Sequence, residues 1–157
     1  MITADKNLIF LHQHAASREV IIGRLALAMQ DAGYIGPMYG YEALAREREF
    51  PTGLPCEEIP VAIPHAFSDD VKKTGVAVAV LDEPVEFVNM GDNEDMLQVE
   101  IVILMANADG GDSHMDDLQE LMVMFSRPEL LKKLRNAETV DEFAYYFEHP
   151  ELFEEEE

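Results

Sequence analysis

One cysteine, Cys56, stands in 157 residues, and there is no tryptophan. A lone thiol cannot close an internal disulfide, so a reducing cytoplasm is the expected compartment. Cations are scarce: 11 lysines and arginines face 32 aspartates and glutamates, a formal charge of −21. Nucleic acid and anionic membrane would be repelled by that balance. A basic protein would be attracted, at a rate that falls as salt rises. Solubility alone is an equally good reading of the charge. Long apolar runs are missing as well. No stretch approaches the roughly 18 residues that a spanning helix needs, and Leu8-Ile9-Phe10-Leu11 is too short for a secretory leader. Also absent are a glycine-rich phosphate loop, a nucleophile elbow, paired cysteines at metal spacing and any internal repeat.

The residues present suffice for one domain over 1–157, since 48% of them are hydrophobic and no linker divides them. Glu154 to Glu157 read as a frayed acidic tail. Leu8 to Leu11 is a first short strand. Ser17 is placed to cap a helix whose Ile22, Leu25, Ala26 and Met29 share one face, with Gly33 ending it. A second helix is expected over Tyr41 to Glu49 with Leu44 and Ala45 inward, broken by Phe50-Pro51-Thr52-Gly53-Leu54-Pro55. Val76 to Leu81 reads as a strand covered on both faces, Val85 to Val88 as its partner after an Asp82-Glu83-Pro84 turn. Val99 to Met105 is the next strand, behind an acidic loop from Gly91 to Asp95. The last third is helical. Ser113, Ser126 and Thr139 are each followed three residues later by an acid, as in capping boxes. Leu118, Leu121, Met122 and Phe125 form the inward stripe of the first of these helices, and Val140, Phe143, Ala144 and Phe147 that of the last. Strands mixed with helices predict an α/β chain, one mixed sheet flanked by helices.

The stretch with most chemical content is Val61-Ala62-Ile63-Pro64-His65-Ala66. Three apolar residues mark a buried strand, and Pro64, having no amide proton, ends it. His65 then leaves a stiff turn, neutral at near-neutral pH and nucleophilic through a ring nitrogen. An ordinary loop or core histidine fits the same residues. His114, next to the expected cap Ser113, falls in a first helical turn where anions are welcome, or is simply exposed there. Arg46 and Arg48 either pair with Glu47 and Glu49 or, beside a nucleophilic histidine, grip a phosphoryl oxygen. His12 and His14 could hold a metal, but no co-ligand at a known spacing accompanies them. Cys56 lies among Glu57 and Glu58, which would raise its pKa and leave it a bystander.

Taken together these residues resemble the type-2 IIA component of the sugar phosphotransferase system, the fructose–mannitol group. The likeness rests on the Val61-to-Ala66 segment, on Ala45-Arg46-Glu47 followed by Phe50-Pro51-Thr52-Gly53, on Thr74-Gly75-Val76 opening a strand, and on Ser113-His114 opening a helix. It runs in order over roughly residues 5–150, and the Phe-Pro-Thr-Gly run is most similar to the galactitol-specific branch. Glu57, Glu58 and Pro60 depart from the family pattern just ahead of the strand. The resemblance implies that His65 accepts phosphate from the carrier HPr and passes it to a cysteine on IIB, which serves the membrane component IIC. It implies binding or orienting roles for Arg46 and His114, and leaves Arg48 at a variable position. No cofactor or metal is implied. A regulatory IIA-like protein, whose phosphorylation state signals to a target, is the alternative; a non-catalytic acidic binding module is a third reading.

Overall fold

The computed structural model describes residues 2–109 and 111–153, so the expected tail at 154–157 lies outside the described residues. In chain order the elements are β1 (Ala4–Gln13), α1 (Arg18–Asp31), α2 (Tyr39–Glu49), β2 (Gly53–Leu54), β3 (Val61–Ala62), β4 (Gly75–Asn89) and β5 (Asp92–Ala106). Helices α3 (Gly111–Phe125), α4 (Pro128–Arg135) and α5 (Val140–Glu148) come next, then a short 3₁₀ turn over Pro150–Phe153. The strands form one mixed five-stranded sheet. β1 runs parallel to β4, β4 antiparallel to β5, and β5 parallel to β3. β2 pairs antiparallel with β3 and also meets the far end of β4 at Asn89.

The period of two in β4 and β5 divides the core between the sheet's faces. Val76, Val78 and Val80 with Ile101, Ile103 and Met105 pack against α3, α4 and α5 through Leu121, Leu131 and Phe143. Ala77, Ala79 and Leu81 with Val102 and Leu104 pack against α1 and α2 through Ile22, Leu25, Met29 and Tyr39. The sheet is therefore covered on both faces, which is why its strands read as nearly continuous apolar runs. Ser17 caps α1 by accepting from the Val20 amide at 3.2 Å. Gly33, at φ +85°, ends α1 with bonds from Gly33 N to Gln30 O and from Tyr34 N to Met29 O, a Schellman close. Thr139 caps α5 by accepting from the Glu142 amide at 3.1 Å.

Several local expectations are corrected. Asp82-Glu83-Pro84 makes no turn, because β4 continues for 15 residues. Pro84 falls in the register irregularity between Val80 and Val85, where a missing amide costs no ladder bond. The chain reverses instead at Met90-Gly91, with Asn89 opposite Asp92, so the acidic run from Asp92 lies in β5. The sequence does not announce β2 at all; Gly53 is required there, since a Cβ would stand 2.6 Å from the Val88 carbonyl oxygen. Helix α3 begins at Gly111, which places Ser113 inside its first turn rather than at the cap. Arg127, with Pro128 at the first helical position, precedes α4, and Ser126 Oγ donates to Val123 O at 2.6 Å. In α2 Ala43 and Glu47 turn inward, leaving Ala45 exposed; in α3 Met124 is buried and Met122 is not.

Two bonds from outside the helix position α2. Its N-cap residue, Met38, makes no side-chain bond of its own. Asp70 Oδ2 accepts from the Met38 and Tyr39 amides at 2.6 and 3.0 Å, while its carbonyl accepts from Gly36 N at 3.0 Å. The carboxylate thus satisfies free helix-start donors and ties the segment after His65 to α2.

Candidate active site

β3 is two residues long, and the chain beyond it is held by bonds that are not part of its own ladder. Ile63 N donates to Thr52 O at 3.3 Å, and Met105 N donates to Pro64 O at 3.0 Å. On the other side of His65, Ala66 N donates to the Tyr39 hydroxyl at 3.0 Å, and that hydroxyl in turn donates to the Met105 carbonyl. Burial pushes the Tyr39 pKa up to about 12, so it remains a neutral hydroxyl able to do both. His65 is therefore fixed through the peptides on both of its flanks.

His65 as a whole is only 6% exposed. Its Nδ1 lies 2.7 Å from the Ile63 carbonyl oxygen. A carbonyl can only accept, so Nδ1 carries the proton and Nε2 keeps its lone pair. Burial lowers the His65 pKa, the Ile63 bond pulls the other way, and the Arg46 charge lowers it further. A neutral imidazole with one free nitrogen is the state in which a histidine is nucleophilic.

His114, buried in the first turn of α3, stands with its ring centroid 5.1 Å from that of His65 and 4.3 Å from that of Phe67. Burial first, then the nearby His65 and Arg46, push its pKa down to about 4, against a smaller pull from Asp117. Among the described residues its Nε2 is buried without a hydrogen-bond partner, and so is Nε of Arg46. Arg46 projects from α2 with its guanidinium carbon 4.6 Å from the Phe50 ring centroid and 4.9 Å from that of Phe67. The structure thus brings His65, His114 and Arg46 together; Arg48 is exposed on the outer side of α2. Beside them opens a cleft of about 620 Å³ whose lining includes His114, Phe67, Asn107, Glu42, Asp69 and Asp70.

The remaining candidates lie elsewhere. His12 Nδ1 and His14 Nε2 sit 3.0 and 3.3 Å from the two carboxylate oxygens of Asp82. The bond from His12, together with the charges of both histidines, holds the Asp82 carboxyl below its ordinary range. Sequence spacing conceals this partner because Asp82 comes from β4, alongside β1. Among the described residues no group of three histidines, cysteines or acids is arranged to hold a metal. Cys56 is half-buried, and burial, rather than its acidic neighbours, pushes its thiol up to about 11. Sequence reasoning misses Tyr39, Phe50 and Phe67. The available signal is faint: large aromatic side chains near Arg46 and His65.

Glu47, next to Arg46, is buried and accepts from Thr52 N at 2.8 Å and Thr52 Oγ1 at 2.7 Å. It fastens the residue 50–53 segment to α2. Burial raises its pKa from 4.5 to about 7. A carboxyl that binds its proton more tightly when folded stabilises the fold fully below pH 4.5 and loses that contribution as pH rises through 7. Glu47→Gln is expected to remove this component, on the order of 1–3 kcal/mol. The check is urea unfolding at pH 4.5 and pH 8: the variant's midpoint should change less between them than that of the parent chain.

Comparison with known proteins gives a consistent picture. The sequence model described as "Phosphoenolpyruvate-dependent sugar phosphotransferase system, EIIA 2" matches residues 3–149. The mannitol-specific phosphotransferase enzyme IIA component of Halalkalibacterium halodurans is 29% identical over 131 residues, 82% of each chain. The transcriptional regulator ManR of Bacillus subtilis is 29% identical over 143 residues, 90% of this chain; the chain spans only a fifth of the regulator's length. Among solved structures, the Escherichia coli complex of mannitol enzyme IIA with phosphorylated enzyme IIB aligns with TM-score 0.78 and 25% identity, covering 94% of this chain and 99% of that one.

Proposed function

Since the chain belongs to the type-2 EIIA family of the phosphoenolpyruvate-dependent sugar phosphotransferase system, we propose that it carries a phosphoryl group on His65 Nε2, received from phospho-HPr and delivered to a IIB cysteine. The observation that carries the reading is a pair of unpartnered nitrogens on the two residues that neighbour His65. Arg46 Nε and His114 Nε2 are buried polar atoms with no partner, beside a histidine whose Nδ1 proton is already committed to Ile63 O. An unmet buried donor such as Arg46 Nε is costly unless something arrives to accept from it, phosphoryl oxygens are strong acceptors, and His114 Nε2 offers a second donor in the tautomer that carries its proton there.

In the transfer, the Nε2 lone pair forms a bond to phosphorus while the donor's nitrogen–phosphorus bond breaks, that electron pair staying on the donor imidazole. The His65 ring gains positive charge as the new bond forms, and the Ile63 carbonyl stabilises the Nδ1–H side of that charge. Arg46 and His114 hold equatorial oxygens as the loose transition state passes, so catalysis is alignment and charge stabilisation. Onward transfer reverses the roles: a IIB thiolate attacks phosphorus and the His65 Nε2–phosphorus bond breaks. IIC is served indirectly, and the sugar is galactitol or a related sugar or polyol. Galactitol is suggested by Phe50-Pro51-Thr52-Gly53, whereas the relatives named for a sugar carry mannitol in their names.

The test is direct. Enzyme I, phosphoenolpyruvate and HPr should label the chain with an alkali-stable, acid-labile phosphate, and the label should move onto purified IIB. Labelling without onward transfer would favour the second reading, a signalling domain, for which the likeness to the regulator ManR is the specific support. The charge of −21 adds an expectation about kinetics. If a basic carrier is steered by that charge, raising salt from about 50 to about 500 mM should slow phosphorylation several-fold through the association step. A flat salt profile would discard the steering.

A further inference from the structure

Arg46 is held without being neutralised. In a chain with 32 acidic residues, its side chain makes no ion pair or hydrogen bond among the described residues. The acid next to it in sequence, Glu47, is turned inward onto Thr52. The guanidinium is held instead by the phenyl rings of Phe50 and Phe67, at 4.6 and 4.9 Å. Both residues are exposed, at 55% and 50%, so their rings meet the guanidinium at the protein surface.

We propose that Phe50 and Phe67 are positioning residues for phosphoryl transfer, an aromatic clamp that fixes Arg46 while leaving its charge free for the phosphoryl group. The proposal rests on His65 being the phosphoryl carrier. A ring face attracts a guanidinium through its quadrupole and takes none of its N–H donors. A carboxylate would fix the side chain equally well, but it would occupy the donor fork and cancel the charge before phosphate arrived. The two rings also come from the right places. Phe50 is the C-cap residue of α2, the helix that carries Arg46. Phe67 lies two residues beyond His65, and its ring stands 4.3 Å from that of His114 and 6.4 Å from that of His65. Through Phe67, the position of Arg46 is set relative to both histidines.

The experiment is a double-mutant cycle with two readouts. Phe50→Leu and Phe67→Leu keep apolar bulk and lose the quadrupole. Each should lower kcat for phosphorylation by phospho-HPr about 3- to 5-fold, and the pair together about 10-fold or more, with KM unchanged. Phe67→Tyr, which keeps the ring face, should restore the rate. In an Arg46→Ala background the Leu substitutions should have no further effect, because the clamp then holds nothing. Parental kcat in both Leu variants, a rise in KM alone, or the same fall in rate with Arg46 absent would each overturn the clamp. A second readout needs no phosphoryl transfer. The Nε–Hε proton resonance of Arg46 should be shifted by the ring currents and should move in both Leu variants. If the parent chain takes no label at all, the relay fails while this resonance still decides the clamp; an Arg46 resonance unmoved by either substitution would reject it.

Discussion

With His65 replaced by alanine, the chain is expected to take no phosphoryl group from phospho-HPr at any time or concentration, while keeping its fold. The loss is total rather than partial because the residue forms the bond. Among the described residues no neighbouring group offers an equivalent nucleophile with its lone pair directed by a backbone carbonyl, as the Ile63 oxygen directs that of His65. The structural cost is small by comparison. The substitution removes one hydrogen bond and leaves a modest void, a loss of about 1–3 kcal/mol. The flanking peptides keep their bonds to Tyr39 and Met105, so circular dichroism and a urea midpoint should show a folded chain. His114 is the informative control. It too is neutral, with a pKa of about 4, and lies within ring contact of His65. Label that survives in the His65 variant and disappears when His114 is also replaced would move the nucleophile to the second histidine and sink the assignment.

How much of this is legible in the sequence depends on the range of the interaction. The short strand ahead of Pro64, which stops at Ala62, the Ser17 and Thr139 caps and the close of α1 at Gly33 are decided within a few residues, and each is readable. So is the division of apolar residues that demands a sheet covered on both faces. Pro84 misleads because a proline after two acids is the ordinary signature of a turn. Here the ladder skips over it, and the alternation of Val85 and Phe87 carries the strand onward. Ser113 misleads because α3 starts earlier than its side chain suggests. The contacts that make the site chemically interesting are long-range. Asp70 capping α2, Tyr39 bonding to Ala66 and Met105, and Phe67 against Arg46 each join elements remote in sequence. Periodicity carries no information about such pairs. The nearness of Arg46, His65 and His114 is expected only through the family resemblance, because nothing in their spacing implies it.

Arg46→Ala and His114→Ala are each expected to slow phosphoryl acceptance by about 10²-fold, the scale found when one donor to a developing oxyanion is removed. If both grip the same phosphoryl group, the double variant should lose less than the product of the two, since the first removal already loosens the geometry that the second exploits. The pH profile separates a binding role from an electrostatic one. The His65 pKa is lowered by burial and by the Arg46 charge, so acceptance should be level at neutral pH and fall only on the acid side of the ordinary value of 6.5. Removing Arg46 takes away one of the lowering causes, so the acid limb should move to higher pH. His114→Gln should move its midpoint less than Arg46→Ala does, because the Arg46 charge is among the causes that lower the His65 pKa and His114 is not. Arg46→Lys keeps the charge and loses the planar fork. It should hold the acid limb in place while recovering only part of the rate, which isolates alignment from charge. Parental rates in the Arg46 and His114 variants alike would remove both residues from the transfer, leaving their unpartnered nitrogens without a role.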